Sequence, residues 1–115
     1  MLRRCYAGRS KMQTTVEFEF DDDVIQKVIE IFPKGLVLDV AREEPAELIQ
    51  AICKVCRYGL DSYRKAHLVE EMADTLIVIR ELQKLFDIPD EDLQEFITSK
   101  QMRTKERIRE LRVEK

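Results

Sequence analysis

The sequence has little of the residues that build small metal sites and disulfide frameworks. Its 115 residues include one histidine and three cysteines, Cys5, Cys53 and Cys56, which cannot all pair within the chain. Cys53 and Cys56 form a CxxC, but no second CxxC or ligand histidine follows at a workable distance, so no zinc site is predicted. Their position beside Ile49 and Ile52 inside a helix favours core packing. The Glu-x-x-His repeats of a di-iron bundle are also absent.

Long apolar runs and a strong net charge are missing too. No apolar stretch approaches the ~20 residues of a membrane span, and residues 1–15 are basic without the apolar segment of a secretory signal. We therefore expect no membrane partner and a reducing, cytoplasmic setting, with an organelle-targeting peptide as the alternative for the basic start. The formal net charge of −3 lacks the basic excess of a dedicated nucleic-acid binder, so no nucleic-acid polymer is expected as a partner.

Apolar residues recur at helical spacing in four segments, which predicts an all-α fold. The predicted helices cover residues 24–32, 36–58, 64–86 and a segment from about 93 onwards. Residues 1–20 are interpreted as an N-terminal arm or tail and residues 21–115 as a single helical domain. In the arm, Val16, Phe18 and Phe20 alternate with acids, which fits either a short strand or an extended arm packed on a neighbour. The third helix is apolar nearly all round, which points to a subunit interface.

Pro45 is an anomaly in the second helix. A proline inside a helix removes one backbone hydrogen bond and clashes with the carbonyl four residues earlier, at a cost of ~3 kcal/mol. Either the helix is kinked at Pro45, or it begins near Arg42 and Pro45 lies in its first turn.

Two acidic clusters of the form Glu-Glu-x-x-acid lie in the second and third helices. They contain Glu43, Glu44, Glu47, Glu70, Glu71 and Asp74. Residues three and four apart share a helix face, so each cluster projects its carboxylates together. If the two helices are antiparallel neighbours, they supply the oxygen ligands that Mg²⁺ or Mn²⁺ prefers. The alternative is a solvated charged face with chance spacing, since 23 of the 115 residues are acidic.

The sequence EEPAEL followed by VEEMAD, with 23 residues between Glu47 and Glu71, resembles the ExxE…ExxD signature of MazG-like all-α nucleoside triphosphate pyrophosphohydrolases. The resemblance runs from about Val37 to Arg107 and includes the apolar run TLIVIRELQKLF and a later basic segment. Pro45 departs from the family pattern. The resemblance implies a four-helix MazG-like bundle completed by oligomerisation, as a homodimer or a dimer of dimers.

The resemblance also implies an activity and the residues that perform it. Family members hydrolyse a (d)NTP between the α and β phosphates, giving a (d)NMP and pyrophosphate, with Mg²⁺ (or Mn²⁺) as the cofactor. By this resemblance the metal ligands would be Glu44, Glu47, Glu71 and Asp74. Glu43 and Glu70 would be the catalytic groups that support these ligands or orient the attacking water. The substrate phosphates would be bound by Lys100, Arg103 and Arg107, which share one face of the fourth helix.

Two features leave alternatives open. His67, one turn before Glu71, is expected on the surface or behind a metal ligand rather than as a ligand itself. The cations of the fourth helix could simply be solvated charges that favour the helix C-terminus. The alternative to an enzyme is a non-catalytic helical oligomerisation or interaction module that uses the third helix as its partner surface.

Overall fold

The computed structural model describes residues 17–114 and contains, in that range, four α-helices and no β-strand. The helices are α1 (Asp22–Ile31), α2 (Lys34–Tyr58), α3 (Ser62–Phe86) and α4 (Asp90–Glu114). The all-α prediction is confirmed for these residues. Residues 17–20 are neither helix nor strand, so the predicted short strand is not formed there. The rest of the predicted arm, including Cys5 and Val16, lies outside the described residues.

The helix ends follow the local chemistry of the sequence. Asp21 caps α1, since its side chain accepts a hydrogen bond from the Val24 N–H at 3.2 Å. Gly59 ends α2 with a φ of 88°, a conformation that favours glycine. Asp87 ends α3 in the left-handed region with a φ of 55°, and the following Ile88 N–H donates to the Gln83 carbonyl at 2.9 Å.

The cap of α3 gives a first testable prediction. Asp61 accepts a hydrogen bond from the Arg64 N–H at 2.8 Å, which satisfies one of the helix's free backbone donors. We expect Asp61→Ala to lower the free energy of unfolding by about 1 kcal/mol, measured by urea denaturation. Asp39→Ala is the control because Asp39 contacts Arg42 only on the exposed face of α2, where an ion pair contributes little. Equal losses in the two variants would contradict a capping role.

Helices α2 and α3 form an antiparallel hairpin. The start of α2 meets the end of α3, where the Lys34 ammonium lies 5.2 Å from the centre of the Phe86 ring. At the other end, the Arg64 guanidinium lies 4.9 Å from the centre of the Tyr58 ring. Both contacts agree with the antiparallel arrangement that the short connection at residues 59–61 predicts. The two acidic clusters, near the middle of each helix, are therefore brought face to face.

Helix α2 runs without interruption through Pro45. The prediction that it begins near Arg42 is therefore wrong. Pro45 has no N–H to donate, so the Ala41 carbonyl lacks the hydrogen bond that it would receive inside a regular helix. The irregular position lies next to Glu44, within the first acidic cluster.

The hydrophobic core is small and lies between α1, α2 and α3. Among the described residues, its buried apolar side chains are those of Ile25, Val37, Ala51 and Val78. The core-packing prediction for Cys53 and Cys56 is wrong, because both are exposed. Val37 and Ala51 mark the face of α2 that is turned toward α3. Helical geometry puts the two cysteines on the opposite face of α2.

Helix α4 begins against α3 and then leaves it. The Asp90 carboxylate accepts hydrogen bonds from Arg80 Nη1 at 2.5 Å and Gln83 Nε2 at 2.8 Å. The Gln83 hydrogen bond, followed by that of Arg80, lowers the pKa of Asp90 below its ordinary value. Beyond this turn α4 packs against none of the other helices in the described part of the chain. Within residues 17–114, each helix is too short or too polar to cross a membrane.

Candidate metal centre

The two predicted acidic clusters meet between α2 and α3. Glu44, Glu47 and Glu71 each place a carboxylate oxygen within 4.8 Å of the others. Glu44 and Glu47 come from α2 and Glu71 from α3, so the group exists only because the hairpin is antiparallel. Asp74, one turn after Glu71, is half-buried and close enough for its charge to act on both Glu44 and Glu71.

Glu71 is the most deeply placed of these acids. Its side chain is only 9% exposed, and its Oε2 lies 3.2 Å from Nε2 of His67, one turn earlier on α3. Its other oxygen, Oε1, is buried and has no hydrogen-bond partner within residues 17–114, and the same holds for Oε1 of Glu44. A buried carboxylate oxygen without a partner is costly. The two orphaned oxygens belong to one cluster, on facing helices.

The cluster changes the acidity of its own members. Burial raises the pKa of the Glu71 carboxyl above its ordinary value, and the charges of Glu47 and then Asp74 add to the effect, partly opposed by His67. The pKa of Glu44 is also raised, chiefly by burial and then by Glu47. Both shifts have the same physical origin, because like charges that cannot be solvated resist ionisation.

These pKa shifts predict an unusual pH dependence of stability. A carboxyl whose folded-state pKa is raised stabilises the fold below its ordinary pKa of 4.5 and loses that contribution as the pH rises through the raised value. In buffer containing a chelator, we therefore expect Glu71→Gln to have a higher melting temperature than the unsubstituted protein. The difference should grow as the pH rises from 4.5 towards neutrality.

The control for this pH series is Glu95→Gln, which removes an exposed acid from α4. Its melting temperature should stay near that of the unsubstituted protein across the series. A Glu71→Gln difference that shrinks with rising pH would contradict the assignment of raised pKa values to the cluster.

The donor set of the cluster fits a hard divalent cation. All its candidate ligand atoms are carboxylate oxygens from two helices, which are the atoms that Mg²⁺, Mn²⁺ and Ca²⁺ bind. A cation would provide the partner that the Oε1 atoms of Glu44 and Glu71 lack. It would also offset the repulsion that raises their pKa values.

The remaining predicted site residues are not all brought to the cluster. Glu43 and Glu70 are exposed and lie beside it, one residue before Glu44 and Glu71. The three predicted phosphate-binding cations, together with Thr104, line a small surface depression on α4. The cations are Lys100, Arg103 and Arg107. Because α4 does not pack against α2 or α3 beyond its first turn in the described residues, one chain does not place these cations at the carboxylates.

The structure adds one buried acid that the sequence analysis did not single out, and it places the aromatic residues. Glu81 is buried on α3, and burial raises the pKa of its carboxyl. Its spacing of seven residues from Asp74 puts it on the same face of α3 as the cluster, two turns further along. That spacing was the sequence signal from which its position could have been predicted. Phe20 contacts α3, with the Arg80 guanidinium 4.9 Å from the centre of its ring, whereas Phe18, Tyr58 and Tyr63 are exposed.

Fold and site together define an all-helical protein with a carboxylate cluster between two antiparallel helices, within residues 17–114. No protein-family model matches the chain, and no curated protein or solved structure shows significant similarity to it.

Proposed function

We propose that this protein is a Mg²⁺-dependent nucleotide pyrophosphohydrolase of the MazG-like all-α type, which cleaves a (d)NTP between the α and β phosphates. The observation that supports this most directly is the pair of buried, unpartnered oxygens, Glu44 Oε1 and Glu71 Oε1. They lie in a carboxylate cluster whose sequence pattern resembles that of the family. An arrangement that is costly without a ligand favours a site that functions with one.

In this proposal the metal, Mg²⁺ or alternatively Mn²⁺, is held by the four predicted ligands Glu44, Glu47, Glu71 and Asp74. Bound there, it would screen the triphosphate charge, polarise a phosphoryl oxygen and lower the pKa of water. The fold's contribution is positioning. The contact of His67 with Glu71 Oε2 at 3.2 Å restrains the orientation of that carboxylate, and Oε1 has no hydrogen-bond partner among the described residues.

Glu43 and Glu70 have the proposed catalytic role. Both are exposed at the edge of the cluster, so water and substrate reach them, while Glu44 beside Glu43 is half-buried and Glu71 beside Glu70 is buried. A carboxylate in this position accepts the proton of the attacking water as the bond to the phosphorus forms, while pyrophosphate leaves from the opposite side.

Phosphate binding by Lys100, Arg103 and Arg107 requires α4 to approach the carboxylates. Within one chain, α4 beyond its first turn does not pack on α2 or α3 in the described residues. We therefore propose that a homodimer, or a dimer of dimers, brings these cations from a neighbouring chain. Such an oligomer would also complete the MazG-like four-helix bundle, and a cytoplasmic nucleotide pool would provide its substrates.

The test is pyrophosphate release from a panel of the common ribo- and deoxyribonucleoside triphosphates, with Mg²⁺ and with Mn²⁺. We expect release from at least one nucleotide and its loss on addition of EDTA. The purified protein should also melt at a higher temperature with Mg²⁺ than with EDTA, because a ligand that binds only the folded state stabilises it. If no nucleotide of the panel releases pyrophosphate and the melting temperature does not depend on the metal, the proposal is refuted.

A second candidate function is a non-catalytic helical interaction module. The observation in its favour is the amount of exposed apolar surface on α3 and α4, exemplified by Val69 and Phe96, which are 55% and 64% exposed. Such a module would melt at the same temperature with and without Mg²⁺. An oligomeric enzyme would also use this surface, so the metal-dependent melting shift is the observation that separates the two functions.

A further inference from the structure

Helix α3 carries a second surface on the side opposite the carboxylate cluster. There an apolar groove of about 580 Å³ lies between α3 and the segment that leads into α1. Its α3 wall is formed by Val69, Met72, Ala73, Leu76 and Ile77. At 100° per residue these positions centre about 170° around α3 from Glu71. The groove is therefore separate from the metal centre, with α3 standing between them.

Helix α4 carries a matching apolar surface, which we call the α4 stripe. It consists of Leu93, Phe96, Ile97, Ile108 and Leu111. Spacings of three, four and eleven residues keep these side chains on one face of the helix. Phe96, Ile97, Ile108 and Leu111 are each about half or more exposed. Packing against no other helix of the described chain, this 25-residue helix leaves its apolar face without a partner.

The charges around the two surfaces are complementary. The outer wall of the groove continues into residues 17–23, which contain five acids and no base. On the other side, Glu70 lies on α3 between the groove and the carboxylate cluster. The second half of α4, residues 100–112, contains six bases and two acids. Arg103 flanks the α4 stripe on one side, and Lys105 and Arg112 flank it on the other. Lys100 and Arg107 lie within the width of the stripe, between Ile97 and Ile108, where their aliphatic stems can pack along an apolar surface while their charged ends reach its border.

We propose that the apolar groove receives the α4 stripe of a second copy of this chain, in a reciprocal, two-fold symmetric pair. Two apolar faces would then be buried twice, once in each direction. Each basic flank of α4 would meet an acidic border of the groove, residues 17–23 on one side and Glu70 on the other. Because Glu70 borders the metal centre, this pairing brings one basic flank of α4 to its edge. The groove and the α4 stripe would then be the surfaces that form the oligomer of the proposed function. This pairing rests on the proposal that the protein is an oligomer, but not on the proposed hydrolysis.

The test uses full-length chains that carry a charge in one surface or the other. Ile97→Asp changes the α4 stripe, and Val69→Asp changes the groove; both side chains are about half exposed, so each isolated chain should still fold. We expect light scattering after gel filtration to give at least twice the 13.6 kDa chain mass for the unsubstituted protein. For each variant, the dissociation constant should rise by at least about 30-fold. Met102→Asp, on the opposite face of α4 and 65% exposed, should leave the mass unchanged.

A mixing experiment separates this pairing from other symmetric ones. In an equimolar mixture of the two variants, the intact α4 of Val69→Asp can enter the intact groove of Ile97→Asp. The mixture should therefore form heterodimers although neither variant forms homodimers. Contacts between two α4 helices, or between two grooves, would give no such recovery and would overturn the inference.

Two further outcomes would also overturn it, at different levels. Oligomers that persist in both variants would refute this interface and leave the proposed oligomer standing. A protein that is monomeric throughout would refute both. If Val69→Asp then lowered the melting temperature of the monomer, the groove would be assigned to a segment of its own chain.

Discussion

Glu71→Gln should lower the rate of Mg²⁺-dependent pyrophosphate release by at least about 100-fold, since even residues that only support a metal ligand contribute 10- to 100-fold. The amide keeps the size of the side chain but removes the charge that attracts the cation. The amide oxygen that remains is neutral, and it is therefore a weaker ligand for a divalent cation than the carboxylate. Initial rates on the best nucleotide of the panel, over a range of Mg²⁺ concentrations, are the measurement.

The matched control is Glu81→Gln. Glu81 is also a buried glutamate of α3 whose pKa is raised by burial, but it lies two turns beyond Asp74, outside the group of close carboxylates. We expect it to retain near-normal activity and a normal melting shift with Mg²⁺. If the two variants lose activity equally, general damage to the α2–α3 packing explains the loss, and the metal assignment fails.

Pro45→Ala should raise the free energy of unfolding by about 2 kcal/mol. Alanine restores an N–H donor to the Ala41 carbonyl and removes the ring clash, together worth ~3 kcal/mol in a helix interior. Up to ~1 kcal/mol of this is offset because the unfolded chain is more flexible with alanine than with proline. Urea unfolding monitored by circular dichroism, in the presence of a chelator, measures the difference without a contribution from bound metal.

Gly35→Ala is the control for this substitution. Gly35 lies in the first turn of α2, and an added Cβ would meet no atom within 4 Å, so alanine there gives only the general gain in helix propensity, roughly 0.5–1 kcal/mol. Pro45→Ala should exceed it. A smaller gain at Pro45 would mean that α2 already accommodates the proline, and that the half-buried ring contributes packing that alanine loses.

The helices could be predicted from the sequence because their signals are local. The second predicted helix ended at Gly59, as in the structure, since a left-handed residue after a helix favours glycine. The course of α2 at Pro45 was left open by the sequence, because the local cost of a proline competes with tertiary packing that a single sequence does not reveal. The hairpin resolves that competition in favour of a continuous helix.

The site was predictable in part. The spacing of Glu44, Glu47 and Glu71 was enough to place their oxygens together once the helices were antiparallel. The contact between His67 and Glu71 puts this histidine beside a candidate ligand, as one of the two alternatives expected. The direction taken by α4 could not be derived from the sequence. Its apolar residues are equally consistent with packing on its own chain and with packing on another chain. The outward-facing Cys53 and Cys56 were mispredicted for a related reason, since apolar neighbours alone do not tell which face of α2 is covered.

Helix α3 carries the carboxylate cluster on one side and the apolar groove on the other, and this restricts how its length can change. One added or deleted residue rotates every later position by about 100°. Inserted between Glu71 and Val78, it would turn the second half of the helix out of register with the first and move apolar side chains out of the groove. The short connections at residues 59–61 and 87–89 carry no such double constraint. Insertions and deletions should therefore be tolerated at the ends of α3 and rejected within it, even where single substitutions are accepted.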